Sequence, residues 1–295
     1  MSFKSGFVSI IGSPNVGKST LLNTILGEKI AIISSKPQTT RNKITGIKNL
    51  KDSQIIFLDT PGIHRTKKKL NLMMVKQSLS ALKDVDVIIY MVEATRQIDN
   101  RERYIIDNLK TVKSPVILCI NKVDLVKKDT LLPLITEFER LYKFIEIVPI
   151  SCRGSDGIDR LLNIVVSLLP EGPKYFPDDM VTDLPERFIT AEIIREKIFE
   201  LTKEEIPYST AVYVEEFKED LQKNLVTIRA AINVERNSQK GILIGKNGSM
   251  LKEIGTRARI DIEGLLGARV FLKLFVRVQE GWTEDKRTLK EFGYY

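Results

Sequence analysis

Over the first 170 residues of the chain, short apolar runs alternate with stretches whose apolar positions recur every three to four residues. Residues 7–11, 54–58, 85–92, 116–120 and 145–150 read as strands buried on both faces. Residues 18–26, 70–82, 101–109, 131–141 and 158–169 carry helical spacing between them. Strands alternating with helices predict an α/β fold with a doubly wound, mostly parallel sheet. Ligands then sit at the C-terminal ends of the strands. The pattern stops at Pro170, and the proline- and acid-rich residues 171–187 read as a linker. Beyond it the order changes. Residues 188–205 are helical, and 211–217 and 225–234 alternate as strands around a polar turn at 218–224. Residues 241–254 and 256–266 read as helices around a glycine loop, 270–278 as a strand and 282–292 as a closing helix. This is the order of a separate α+β domain, so the expected organisation is 1–170, a linker, and 188–295.

Composition narrows the class. A chain of 295 residues is long enough for two domains. No run approaches the roughly 18 uncharged apolar residues of a membrane span, and the first residues lack a signal-peptide pattern. The cysteines, Cys119 and Cys152, lie in apolar segments without metal-ligand spacing and read as reduced thiols of a cytoplasmic protein. With His64 the sole histidine, a His-based metal site or catalytic triad is excluded. Charge is unevenly spread: residues 183–228 hold 6 basic and 11 acidic side chains, and residues 229–277 hold 10 basic and 4 acidic. The second stretch reads as a face suited to a polyanion.

Gly12-Ser13-Pro14-Asn15-Val16-Gly17-Lys18-Ser19 matches GxxxxGK[ST] between a predicted strand and a predicted helix. Glycines let backbone N–H groups turn onto phosphate oxygens, and the helix N-terminus that continues through Thr20 adds partial positive charge. In this arrangement Lys18 reaches the β- and γ-phosphates and Ser19 ligates Mg²⁺. Asp59-Thr60-Pro61-Gly62 follows the 54–58 strand, which places Asp59 to hold Mg²⁺ and the Gly62 amide to sense a γ-phosphate.

Asn121-Lys122-Val123-Asp124 ends the 116–120 strand. An Asp there accepts two hydrogen bonds from guanine, through N1–H and the exocyclic amine, and adenine cannot satisfy it. Asn121 would bind the base at N7 or pin the loop, and Lys122 would lay its stem over the base. Ile150-Ser151-Cys152 would offer backbone N–H groups to the guanine oxygen.

These motifs, in this order, resemble the translation-factor-like class of small GTPases. In the second domain Gly245-Lys246-Asn247-Gly248 looks like the GxxG loop of a KH domain, with Ile244, Leu251 and Ile254 as its apolar floor. A P-loop GTPase domain followed by a type II KH domain resembles the bacterial Era family, and the resemblance covers essentially the whole chain. It implies a GTPase that binds GTP and GDP with Mg²⁺ and grips small-subunit ribosomal RNA near its 3′ end during small ribosomal subunit assembly. It further implies a cytoplasmic monomer. Peripheral membrane contact is known for the family, although no amphipathic anchor is evident.

Carried over by position, Gln38-Thr39-Thr40-Arg41 is similar to the first switch, with Thr40 as the Mg²⁺ and γ-phosphate sensor and Thr39 second. Asn15 resembles a loop asparagine that ligates K⁺ in related GTPases, which makes it a catalytic candidate beside Lys18, Thr40 and Gly62. Ile63 stands where many GTPases place a water-orienting glutamine, so unaided hydrolysis is expected to be slow, given about 10⁻⁴ s⁻¹ even with glutamine. Lys246, Lys252, Lys240, Arg257 and Arg259 are candidate RNA-backbone contacts. Arg65, Lys67, Lys68 and Lys69 read as a solvated loop, and Trp282 reads as core. Two other classes remain: an RNA-binding assembly scaffold whose nucleotide is structural, and a GTPase serving an RNA-modifying enzyme, which would need a catalytic cysteine or a partner.

Overall fold

The structure is a computed structural model that describes residues 2–34, 36–37, 39–64, 66 and 69–294. Gln38, Arg65, Lys67 and Lys68 lie outside the described residues. The chain divides into two compact units: Met1–Ala31, Thr40–Lys67 and Asn71–Asp183 form one, and Ile32–Thr39, Lys68–Leu70 and Leu184–Tyr295 the other.

The first unit is built on β1 (Lys4–Gly12), α1 (Lys18–Leu26), β2 (Ile44–Leu50), β3 (Ser53–Asp59), α2 (Lys69–Ser80) and β4 (Val87–Glu93). It continues with α3 (Asn100–Leu109), β5 (Val116–Asn121), α4 (Leu131–Leu141), β6 (Glu146–Pro149) and α5 (Ile158–Leu168). The sheet order is β2-β3-β1-β4-β5-β6. Every pairing is parallel except β2 with β3. Strands β3, β4 and β5 are buried along their whole length, as continuous apolar runs require in a sheet covered on both faces. Their C-terminal ends deliver Asp59, Glu93 and Asn121 to one edge.

Two features depart from the expected pattern. Strand β2 gave no readable signal. Residues 171–182, expected as a linker, instead run as a strap across one end of the sheet. Lys4 bridges to Glu171, the Gln54 side chain holds the Tyr175 and Phe176 amides at 2.8 and 3.0 Å, and the Ile47 amide donates to the Val181 carbonyl at 2.7 Å. The strap thus caps the outward edge of β2, which would otherwise expose unpaired backbone groups.

The second unit contains α6 (Glu186–Leu201), β7 (Ala211–Asp220), β8 (Leu225–Val234), α7 (Asn237–Ile244), α8 (Ser249–Leu266), β9 (Arg269–Val278) and α9 (Lys286–Glu291). Its sheet order is β7-β8-β9, antiparallel then parallel. Ile193, Ile198, Ile228, Ile232, Ile254, Ala258 and Ile262 form its core, and Ile244 and Leu251 pack against it. Trp282 is fully buried, with its indole N–H donating to the Ser209 carbonyl at 3.1 Å. The GxxG loop falls at 245–248, where its motif places it, and it splits the helix expected over 241–254 into α7 and α8. Gly245, Asn247 and Gly248 all have positive φ and end α7, whereas Gly255 continues inside α8.

Candidate nucleotide and RNA sites

The Gly12–Thr20 segment turns sharply between β1 and α1. Gly17 has φ 106°, and a Cβ there would come within 2.3 Å of the Asn121 side-chain nitrogen. Gly17→Ala is therefore expected to displace Asn121 and weaken GTP binding by at least about tenfold. An unchanged Kd by calorimetry would contradict this tight fit. The Asn121 side chain donates to the Val16 carbonyl at 2.8 Å and accepts the Cys152 amide at 3.1 Å. Of the two roles open from sequence, its contacts are those of a loop pin. Lys122 Nζ donates to the Asn15 carbonyl at 2.9 Å and pairs with the Glu93 carboxylate, fastening the same loop from the other side.

Lys18 is buried, and its ammonium donates to the Gly12 and Ser13 carbonyls at 3.1 and 3.0 Å. Burial pushes it down to about 8, with nearby Asp59 opposing the shift. Asp59 is likewise buried and pushed up to about 6 by desolvation, with Lys18 and the Ser19 hydroxyl opposing. Ser19 Oγ donates to Asp59 Oδ2 at 2.7 Å and lies 2.9 Å from Thr40 Oγ1. Three side chains with oxygen donors, from three segments, thus meet at one point, and the buried Asp59 Oδ1 has no partner among the described residues. An all-oxygen donor set with a spare carboxylate oxygen suits Mg²⁺. Thr39 is engaged elsewhere. Its hydroxyl donates to the Lys36 carbonyl at 2.8 Å, and its carbonyl accepts from Arg195.

Gly62 sits so close to Pro14 that a Cβ would lie 2.8 Å from the proline ring, so the second switch motif rests directly on the phosphate loop. The Ile63 amide donates to the Gly12 carbonyl at 3.1 Å, and its side chain is fully buried in the sheet's core. Ile63 is thus a core residue, and its side chain points away from water.

The Ile150-Ser151-Cys152 expectation needs correction. All three amides donate inside the protein, to the Ile120 carbonyl, the Asp156 carbonyl and the Asn121 side chain. The motif instead meets the predicted base-reading carboxylate through the Ser151 hydroxyl, which donates to Asp124 Oδ1 at 2.6 Å. Both thiols are buried. Burial pushes Cys119 far up, and burial with nearby Asp124 takes Cys152 to about 12, so neither offers a thiolate nucleophile.

In the second unit, Gly245 adopts φ 72°, ψ 176° between α7 and α8, and a Cβ would meet Met250 at 2.8 Å. That conformation is essentially restricted to glycine. Lys246, Asn247 and Lys252 are exposed, while Gly248 caps α8 in the left-handed region. Arg257 pairs with Glu253 at 2.7 Å, which partly neutralises its charge.

Residues 7–122 match the family model described as 50S ribosome-binding GTPase, and residues 205–283 match the KH domain model. The chain is 61% identical to the GTPase Era of Geotalea uraniireducens over 292 residues, covering 99% of this chain and 98% of that protein. The chain belongs to the Era GTPases. It is also 54% identical to the GTPase Era of Lacticaseibacillus paracasei over 290 residues. A solved structure of Era with MgGDPNP and nucleotides 1506–1542 of 16S ribosomal RNA matches at a TM-score of 0.96 and 44% identity, over 99% of both chains. An Aquifex aeolicus Era variant bound to GDP.AlF4- matches equally well.

As an Era GTPase, this protein hydrolyses GTP without a glutamine after Gly62. Its structure sets the buried Lys18 ammonium against the Gly12 and Ser13 carbonyls and holds the Asp124 carboxylate through Ser151. Among the described residues no helix is long and apolar enough to cross a membrane.

Proposed function

We propose that this Era GTPase is a switch that grips the 3′-terminal region of small-subunit ribosomal RNA and assists maturation of the small ribosomal subunit. One observation carries the reading: a single chain joins a Ser19–Thr40–Asp59 corner to an open GxxG loop, in the fold of an Era bound to MgGDPNP and 16S ribosomal RNA. Residues 1–170 act as the hydrolytic domain and residues 188–295 as the RNA domain. Gly12, Ser13, Pro14, Asn15, Val16 and Gly17 cradle the phosphates, and Asn121, Lys122, Asp124 and Ser151 form the base end. Ser19, Thr40 and Asp59 hold Mg²⁺, which when bound offsets charge on the β- and γ-phosphate oxygens. GTP orders Thr40 and Gly62, hydrolysis releases them, and RNA affinity changes with the nucleotide.

Gly245, Lys246, Asn247, Gly248 and Lys252 form the RNA-gripping loop, where close backbone approach clamps unpaired nucleotides. Making the loop acidic, with Lys246→Glu reversing one charge and Asn247→Asp adding another, is expected to weaken binding of a 3′-terminal ribosomal RNA fragment by at least about tenfold. Lys246→Ala alone should lower the salt slope of binding by about one. Fluorescence anisotropy over a salt series measures both effects, and salt-insensitive binding would contradict the footprint.

Asn15, with φ 67°, is proposed to hold a K⁺ that supplies the positive charge an arginine would otherwise bring to the transition state. Single-turnover hydrolysis should then be several-fold faster in K⁺ than in Na⁺ buffer, and equal rates would remove K⁺ from the account. A monomeric state and a peripheral membrane contact follow from family resemblance alone, and sedimentation and vesicle flotation test them.

A further inference from the structure

Behind the phosphate loop lies a polar cluster that the roles assigned above do not use. Ser13 is 1% exposed, and its hydroxyl donates to Glu102 Oε1 at 2.9 Å. Glu102 is 7% exposed and stands in the first turn of α3. Its other oxygen accepts the Asp99 amide at 3.3 Å, and Asp99 in turn accepts the Arg101 amide at 2.6 Å, completing a capping box. The fully buried Tyr90 hydroxyl, on the neighbouring strand β4, has no partner among the described residues.

Helix capping accounts for only half of this arrangement. A capping box uses one carboxylate oxygen, and α3 would be served equally by a Glu pointing into solvent. Here the second oxygen is spent on the phosphate loop, at the desolvation cost of a buried carboxylate. Electrostatic attraction does not explain it either, because a negative charge behind a loop that binds a triphosphate repels the ligand. Burial raises the Glu102 pKa, Asp99 adds to the shift, and the Ser13 hydroxyl opposes it by stabilising the carboxylate. What remains is geometry. The Ser13 carbonyl accepts from Lys18 Nζ at 3.0 Å, so a continuous set of contacts runs from α3 through Glu102 and Ser13 to the lysine that meets the phosphates.

We propose that Glu102 is a positioning residue for GTP hydrolysis, holding Ser13 and through it the section of the phosphate loop that aims Lys18. It touches neither nucleotide nor metal. Its effect falls on the rate of the bound complex more than on affinity, because the backbone amides that bind phosphate remain after its removal.

A double-mutant cycle on the full chain tests this, reading single-turnover GTP hydrolysis and GTP Kd for Ser13→Ala, Glu102→Ala, the double variant and Glu102→Gln. Each single alanine should slow hydrolysis by about tenfold, the scale of a small misplacement, while Kd moves less than about threefold. The double variant should be no slower than the slower single, because both remove one linkage. Glu102→Gln should recover most of the rate, since its amide oxygen still accepts from Ser13. Multiplying losses in the double variant would overturn the proposal, as would a Glu102→Gln rate as low as that of Glu102→Ala. Glu102→Ala also removes the α3 cap. If it does not fold, Ser13→Ala leaves α3 intact, and a wild-type hydrolysis rate in that variant overturns the proposal alone.

Discussion

Replacing Asp124 with Asn is expected to lower GTP affinity by about 10⁴-fold and to make xanthosine triphosphate the better ligand. Guanine presents two donors to the carboxylate, N1–H and the exocyclic amine. Xanthine presents N1–H and a carbonyl. The Asn side chain offers one acceptor and one donor, so it matches xanthine and opposes guanine's amine with its own N–H. The Ser151 hydroxyl, 2.6 Å from Asp124 Oδ1, can donate to an amide oxygen as readily as to a carboxylate, so the loop itself should survive. Calorimetric titration with GTP, xanthosine triphosphate and ATP measures the effect. A variant that still binds GTP within threefold of wild type would show that Asp124 does not read the base.

Lys18→Ala is expected to slow single-turnover hydrolysis by about 10²- to 10³-fold, the scale for removing one preorganised group from developing transition-state charge. The buried ammonium is aimed by the Gly12 and Ser13 carbonyls and lies beside Asp59. Because it is assigned to the β- and γ-phosphates, GTP affinity should fall more than GDP affinity. Burial has already pushed this lysine down to about 8, so bound phosphate oxygens should raise it again by favouring the charged form. Rapid-quench kinetics with both nucleotide affinities decide the matter, and equal losses for GTP and GDP would place Lys18 away from the γ-phosphate.

Much of this site was legible because its chemistry demands fixed residue types at fixed spacing. The glycine loop, Asp59 and Asn121-Lys-Val-Asp124 each follow an apolar run, and strands β1, β3 and β5 end where those motifs begin. Features missed from sequence depend on tertiary partners. Strand β2 reads Ile-Thr-Gly-Ile-Lys-Asn-Leu, too mixed to signal a strand, and it exists because β3 pairs one edge and the 171–182 strap covers the other. The strap looked like a linker because its prolines and acids bury no apolar face; side chains such as Gln54 and Asn49 hold it by hydrogen bonds to its backbone. Ser151 was expected to act through a backbone amide, and only the fold brings its hydroxyl to Asp124. Glu102 gave no signal, since nothing in the spacing of Ser13 and Glu102 shows that α3 returns to the phosphate loop.

The measurement that most directly tests the switch is crosslinking of the full-length protein to ribosomal RNA, with sequencing, in the GTP-analogue and GDP states. Crosslinks from residues 245–252 are expected to concentrate at the 3′ end of small-subunit RNA, with a yield that differs several-fold between the two states. The same sites at the same yield in both states would contradict the switch and leave an RNA-binding scaffold with a structural nucleotide.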